Sequence, residues 1–334
     1  MVRAMRRLAS LLSLILSAGL VGLVGCGSPA SAPPAEAGLN PPDGAPGSDA
    51  ASGLDASAAC AGFTTPAQDA TVTLTTGGRD RTYRVHVPAS YDPQRPTPLV
   101  LDIHGLTMDG AWQASLSKMD AAADAGGFIA VYPDGTGVPR GFNAGDCCLP
   151  ASASGVDDVA FIRALLDDVA TRMCVDPARV FATGFSNGGF LSHRLGCELA
   201  DRIAAIAPVA GVMGVDPCTP SRPVPVLEFH GVLDPIEPYA GSPLASVRSV
   251  ATTVADWASR DGCAATTTVT YQHGDAKCET HGGCSGGAEV TLCTISDGGH
   301  QWPGGVAYPG GGLVSADIAA TDVIWAFFQA HPRP

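Results

Sequence analysis

The chain has 334 residues, a net charge of −13, only 15% charged residues, 41 glycines and 27 prolines. That length supports one large hydrophobic core, and the loop-rich composition excludes a coiled coil or a wholly disordered chain. The acidity argues against nucleic-acid binding, since phosphate backbones repel such a surface, and against rapid approach to acidic polysaccharides or anionic membranes.

Arg3, Arg6 and Arg7 precede an apolar run from Leu8 to Val24, the layout of a secretory signal peptide. The run closes on Leu23-Val24-Gly25-Cys26, which resembles a bacterial lipobox. Residues 1–26 are therefore expected to be a lipoprotein signal peptide. Cys26 then becomes the lipidated N-terminus, and several acyl chains on one residue anchor a protein to a membrane stably. The plainer alternative is ordinary secretion with Cys26 discarded. A transmembrane anchor fits less well, because small residues crowd the end of the run and no basic stop follows. Residues 27–59 are mainly Ala, Pro, Gly, Ser and Asp, too poor in large apolar side chains to fold, and read as a tether.

Residues 60–334 carry the expected catalytic domain. Thr71–Thr75 and Arg81–Val87 read as paired strands around a Gly77-Gly78 turn. Pro98–His104 and Phe128–Tyr132 are nearly continuous apolar runs, suited to parallel strands buried on both faces. An Ala-rich stretch over 112–126 predicts a helix, as do the spaced apolar residues of Asp157–Met173. Val180–Gly184, Ile203–Val209, Val224–His230 and Ala288–Ile295 add strands; Asn187–Leu199, Ser246–Arg260 and Ala316–Ala330 add helices. His273 and His281 fall in what reads as a polar, Cys-rich loop. Strand–helix alternation predicts a three-layer α/β sandwich with a mostly parallel central sheet and right-handed crossovers. No repeat of 20–50 residues indicates a solenoid or propeller.

Apart from Cys26 there are ten cysteines, an even number behind a signal peptide, which predicts disulfides in an oxidising compartment. The expected pairs are Cys278–Cys284, across a Gly-rich loop, and Cys263–Cys293. The alternative is zinc on Cys278, His281 and Cys284, whose spacing is ligand-like, although structural zinc needs a fourth ligand.

The sharpest chemical signal is Gly184-Phe185-Ser186-Asn187-Gly188 between a predicted strand and a predicted helix. Small residues two before and two after a serine permit the sharp turn that exposes its hydroxyl, the nucleophile elbow of α/β-hydrolases. In that fold the acid and the base follow on loops after later strands. Asp234 lies just past Val224–His230 and is preferred over Glu237. Six histidines follow Ser186. His193 lies two turns down the elbow helix and suits packing, His230 is inside a strand end, and His331 is in the tail. His300 sits between glycines past the last strand and is the candidate base. The oxyanion hole would take the N–H of Asn187 and that of Leu106, with Thr107 as the alternative, while His104 holds that loop. Trp302, Phe142 and Tyr239 are candidate walls of a substrate cleft.

Taken together, Phe142-Asn143-Ala144-Gly145-Asp146-Cys147-Cys148, Val156-Asp157-Asp158-Val159, the elbow with Gly189, His230-Gly231 with Asp234, and Gly299-His300-Gln301-Trp302-Pro303-Gly304-Gly305 resemble one family. It is that of secreted polyhydroxybutyrate depolymerase-like and feruloyl or acetyl-xylan esterases, related to carbohydrate esterase family one. The resemblance implies an α/β-hydrolase fold, a Ser186, Asp234, His300 triad, and no metal or organic cofactor. It implies hydrolysis of hydroxyalkanoate oligomers or short acyl esters, or alternatively of feruloyl and acetyl-xylan esters. Two departures matter. Leu106 stands where a small or sulfur residue is frequent, and no binding module follows the catalytic domain as in the large depolymerases, which puts solid polyester in doubt. A peptidase of the same fold would need a propeller or an acidic amine site. A non-catalytic surface lipoprotein would be expected to have lost a triad member. A monomer acting on an ester substrate outside the cytoplasm is expected.

Overall fold

A computed structural model describes residues 60–242 and 247–334. The expected signal peptide, the lipidation site Cys26 and the tether 27–59 lie outside the described residues. The apolar runs become fully buried strands: β3 (Thr97–Ile103), β4 (Ile129–Pro133), β6 (Ile206–Val209) and β7 (Val226–Gly231) contain no exposed position. With β5 (Val175–Phe185) and β10 (Val290–Ile295) they form a parallel block ordered β4-β3-β5-β6-β7-β10. Antiparallel strands flank it: β1 (Asp69–Thr76) and β2 (Arg79–His86) beyond β4, and β9 (Ala276–His281) and β8 (Thr267–His273) beyond β10.

Helices cover both faces, because successive strand side chains point to opposite sides. Leu99, Leu101 and Ile103 face α3 (Asp158–Arg172), α4 (Asn187–Glu198) and α5 (Val250–Arg260) in one core cluster. Val100, Phe181 and Phe229 pack in the other with α1 (Gly110–Ser117), α2 (Met119–Gly126) and α6 (Ala320–Ala330). The three-layer α/β-hydrolase architecture is the expected one. The chain passes from β3 to β4 on one side and then to β5 on the other, so a crevice opens where the direction of winding reverses.

Three expectations need correction. The single helix over 112–126 is two, broken at Lys118 in the left-handed conformation (φ 59°), whose Nζ donates to Gly304 O at 2.8 Å. The polar loop holding His273 and His281 is the β8–β9 hairpin; β8 is exposed at all but one position, so it lacks the alternation that marks a half-buried strand. The disulfides pair differently: Cys263–Cys284 and Cys278–Cys293, alongside Cys60–Cys174, Cys147–Cys148 and Cys197–Cys218. The β9–β10 register sets Cys278 directly opposite Cys293, which loop proximity in sequence does not reveal. The same pairing removes both thiolates from the zinc alternative, and His281 Nδ1 faces Ala264 O at 2.9 Å. Peptide mapping without reduction is expected to recover Cys278–Cys293 and Cys263–Cys284. Converting Cys278 and Cys293 to serine, which opens a loop of 15 residues, is expected to lower stability by about 3 kcal/mol in urea titrations.

Candidate active site

Ser186 follows the last residue of β5 and precedes the first of α4, with φ 54° and ψ −118°. A non-glycine residue in that region carries about 1–3 kcal/mol of strain, so the surroundings must hold it. Ser186 N donates to Val209 O (2.9 Å) and Ser186 O accepts from Phe190 N (3.0 Å). A Cβ on Gly184 would lie 2.6 Å from Gly188 O, and one on Gly188 would collide with Ile103 O. These glycines let β5 and α4 approach so closely that one side chain is left at the apex. Gly188→Ala is expected to lose about 3 kcal/mol or more of stability, read as a drop in urea midpoint.

β7 ends at Gly231, and Asp234 turns back with its N–H on Gly231 O at 3.3 Å. Asp234 Oδ1 accepts from the N–H groups of Ile236 and Glu237, each at 2.8 Å. Its Oδ2 lies 2.7 Å from Nδ1 of His300, both side chains being buried. Nδ1 is thereby engaged, which leaves Nε2 as the nitrogen able to exchange a proton elsewhere. The His300 ring packs against Phe185, the neighbour of Ser186, with centroids 4.8 Å apart, and meets Tyr308 edge-on at 6.0 Å. Gln301 fixes the loop that carries His300: its amide donates to Tyr308 O and Gly312 O, and its carbonyl accepts from Tyr308 N at 2.7 Å.

On the other side of the crevice, Thr107 N is committed to Arg140 O at 2.7 Å, which leaves Leu106 N–H as the loop's candidate donor. Asn187 N belongs to the first turn of α4, whose amides have no partner within the helix. The Asn187 side chain clamps the loop after β4, with Oδ1 accepting from Phe142 N at 2.7 Å and Nδ2 donating to Phe142 O at 3.0 Å. His104 donates through Nδ1 to Gly105 O (2.7 Å) and accepts at Nε2 from Gly135 N (2.9 Å). Burial pushes its pKa down to about 4, so it stays neutral and holds both loops together.

The expected cleft walls lie elsewhere. Trp302 is fully buried and donates to Thr321 Oγ1 at 2.9 Å, Phe142 is fully buried against His104, and Tyr239 bonds Thr294 at 2.8 Å. The cavity at this edge, about 290 Å³, is lined instead by Leu106, Cys147, Cys148, Leu149, Phe190, Met213 and Glu237, among others. Aromatic content was a poor guide, because large rings fill cores at least as readily as clefts. The adjacent cysteines belong to the run that carries the family resemblance, and their place at the cavity is a usable signal beyond it. Burial and the charge of Asp234 push the Glu237 carboxyl up to about 7, against the opposing charge of His230. As this acid is harder to ionise folded than unfolded, its contribution to stability is full below its ordinary range and fades as pH rises towards 7.

The elbow after β5, the reversal of winding beside it and the carboxylate-bound histidine define the class as an α/β-hydrolase. The chain belongs to the feruloyl-esterase-like family of that class. It is 30% identical over 266 residues to feruloyl esterase C of Emericella nidulans, covering 77% of this chain and 88% of that protein. Against feruloyl esterase B of Piromyces equi it is 34% identical over 230 residues, which is 65% of this chain and 42% of the length of that relative. Acetyl xylan esterase from Aspergillus awamori has the same fold, with a TM-score of 0.57 over 78% of this chain and 99% of that one, at 14% identity. No protein-family model matches the chain.

Proposed function

We propose that this protein is a serine carboxylic-ester hydrolase acting outside the cytoplasm on feruloyl or acetyl esters of plant polysaccharide. The observation that carries the reading is the His300–Asp234 hydrogen bond on the loops facing the elbow of Ser186. His300 Nε2 takes the Ser186 proton as the hydroxyl oxygen attacks the ester carbonyl. Leu106 and Asn187 N–H groups stabilise the tetrahedral oxyanion, and Asp234 favours the imidazolium that forms. His300 then protonates the leaving alcohol, and water repeats the sequence on the acyl-enzyme. The substrate class draws on the names of the relatives, feruloyl esterases above all. Five disulfides among the described residues support an oxidising compartment, and lipid attachment at Cys26 would hold the enzyme at the cell envelope.

The test is a substrate panel of methyl ferulate, acetylated xylan and hydroxybutyrate oligomers, with fluorophosphonate labelling mapped by mass spectrometry. Labelling of the peptide containing Ser186 and turnover of the first two substrates are expected. Failure to label overturns the serine mechanism, and exclusive turnover of hydroxybutyrate oligomers overturns the substrate class. Glu237 makes a further expectation, because its ionisation places a charge in a cleft with apolar walls. KM for methyl ferulate is expected to rise about fivefold between pH 6 and pH 8, equivalent to ~1 kcal/mol. Glu237→Gln is expected to flatten that rise.

A further inference from the structure

Behind His300 lies a run of fully buried ionisable groups for which the proposed mechanism has no use: His193, Glu228 and His230. His230 is one position before the end of β7, and its ring is sealed from solvent. Its Nε2 lies 2.9 Å from Glu237 O and 3.5 Å from Asp234 Oδ2. Its Nδ1 lies 3.5 Å from Glu228 Oε1. Both ring nitrogens therefore face oxygen acceptors. A neutral imidazole carries a lone pair on one nitrogen, which here would point at a carboxylate or a carbonyl; only the imidazolium donates both ways. His230 Nδ1 and Glu228 Oε1 are both buried atoms without a hydrogen-bond partner, and each is the group the other lacks.

His193 cannot supply the missing charge. Its Nδ1 accepts from Trp257 Nε1 at 3.0 Å, so its single proton sits on Nε2, donated to Glu228 Oε2 at 2.9 Å. Among the described residues, the ion-pair partners of Glu228 are His193 and His230, and those of Asp234 are His230 and His300. From the neighbouring elements, Tyr239 meets the ring edge-on at 5.8 Å with its hydroxyl turned to Thr294, and the Glu237 carboxyl stands nearby.

We infer that His230 is a positioning residue: a buried imidazolium between Glu228 and Asp234 that balances their charge and ties down the Asp234 turn behind His300. This rests on the proposed roles of Ser186, His300 and Asp234. Burial by itself would push the His230 ring down, but the Glu228 carboxylate, the Glu237 carbonyl and Asp234 together raise it. Two carboxylates and one imidazolium leave a single net negative charge, which is what an arriving proton on His300 neutralises. Without the cation, two buried carboxylates would share one low-dielectric region with neutral donors alone, and the cheapest relief is protonation of one of them.

His230→Gln keeps a donor near Glu237 O and removes the charge. Its kcat/KM for p-nitrophenyl acetate is expected to fall, with the acid limb of the pH profile displaced upward by about one unit. A lower rate with the limb unmoved would reduce His230 to a structural prop and overturn the proposal. Should that variant not fold, the nitrogen-15 spectrum of the wild-type ring decides. Imidazolium resonances for His230 at pH 8 are expected, and a neutral tautomer there overturns the inference. The spectrum needs no substrate, so it stays decisive even if Ser186→Ala retains activity and the functional reading fails.

Discussion

Replacing Ser186 by alanine is expected to abolish ester hydrolysis, with kcat/KM for p-nitrophenyl acetate and methyl ferulate falling about 10⁵-fold or more. The loss should be this large because no other hydroxyl occupies the apex between β5 and α4. The residual rate would come from Leu106 and Asn187 N–H groups acting on an ester attacked by water. Ser186 is strained at φ 54°, and alanine inherits that backbone without added bulk, so folding is expected to survive. Unchanged far-UV circular dichroism and an unchanged urea midpoint would separate lost chemistry from lost structure. Activity at the wild-type level would remove Ser186 from the mechanism altogether.

The second large effect is expected at Asp234. Asp234→Asn preserves the size of the side chain but takes away the charge and invites the wrong His300 tautomer, for a fall of about 10⁴-fold in kcat. Glu237 is the comparison that gives this result meaning. Glu237 lines the cavity, and its hydrogen bonds to the site are made by its backbone, with N–H on Asp234 Oδ1 and carbonyl on His230. Glu237→Gln is therefore expected to cost less than about tenfold in kcat, since it leaves those backbone bonds intact. Equal losses in the two variants would show that the acid had been assigned to the wrong residue. Steady-state kinetics with methyl ferulate at pH 6, where Glu237 is largely neutral, makes the comparison cleanest.

Much of the architecture was legible because it rests on local patterns. Thr97–Ile103 and Val226–Gly231 are buried on both faces, and burial on both faces writes itself as an uninterrupted apolar run. Gly184, Ser186 and Gly188 were legible for a related reason: the close approach of Ile103 O to Gly188 excludes any side chain there. What stayed hidden depends on distant partners. Cys278 meets Cys293 only once β9 and β10 are in register. β8 is an edge strand whose threonines stand mostly in water, so the alternation that would announce it is missing. Trp302 is a candidate cleft wall in the sequence, yet its side chain turns inward to Thr321. Direction from the backbone decided that, and a motif does not record direction. His230 is the subtler case, since its place at a strand end was seen but not the carboxylates on either side of it.

The Cys60–Cys174 bond gives the catalytic unit a back and a front. Cys174 stands just before β5 begins, beside the first residue of β3, whereas Ser186 stands just after β5 ends. β5 bulges near its start, so that Val175 pairs with Thr97 and Gly184 with Ile103, and the two ends lie six β3 residue steps apart, about 20 Å at the usual rise. The staple therefore fastens residue 60 to the rear of the sheet, at the end opposite Ser186. Cutting that staple would therefore loosen the fold far from the crevice, costing stability while sparing the geometry around Ser186.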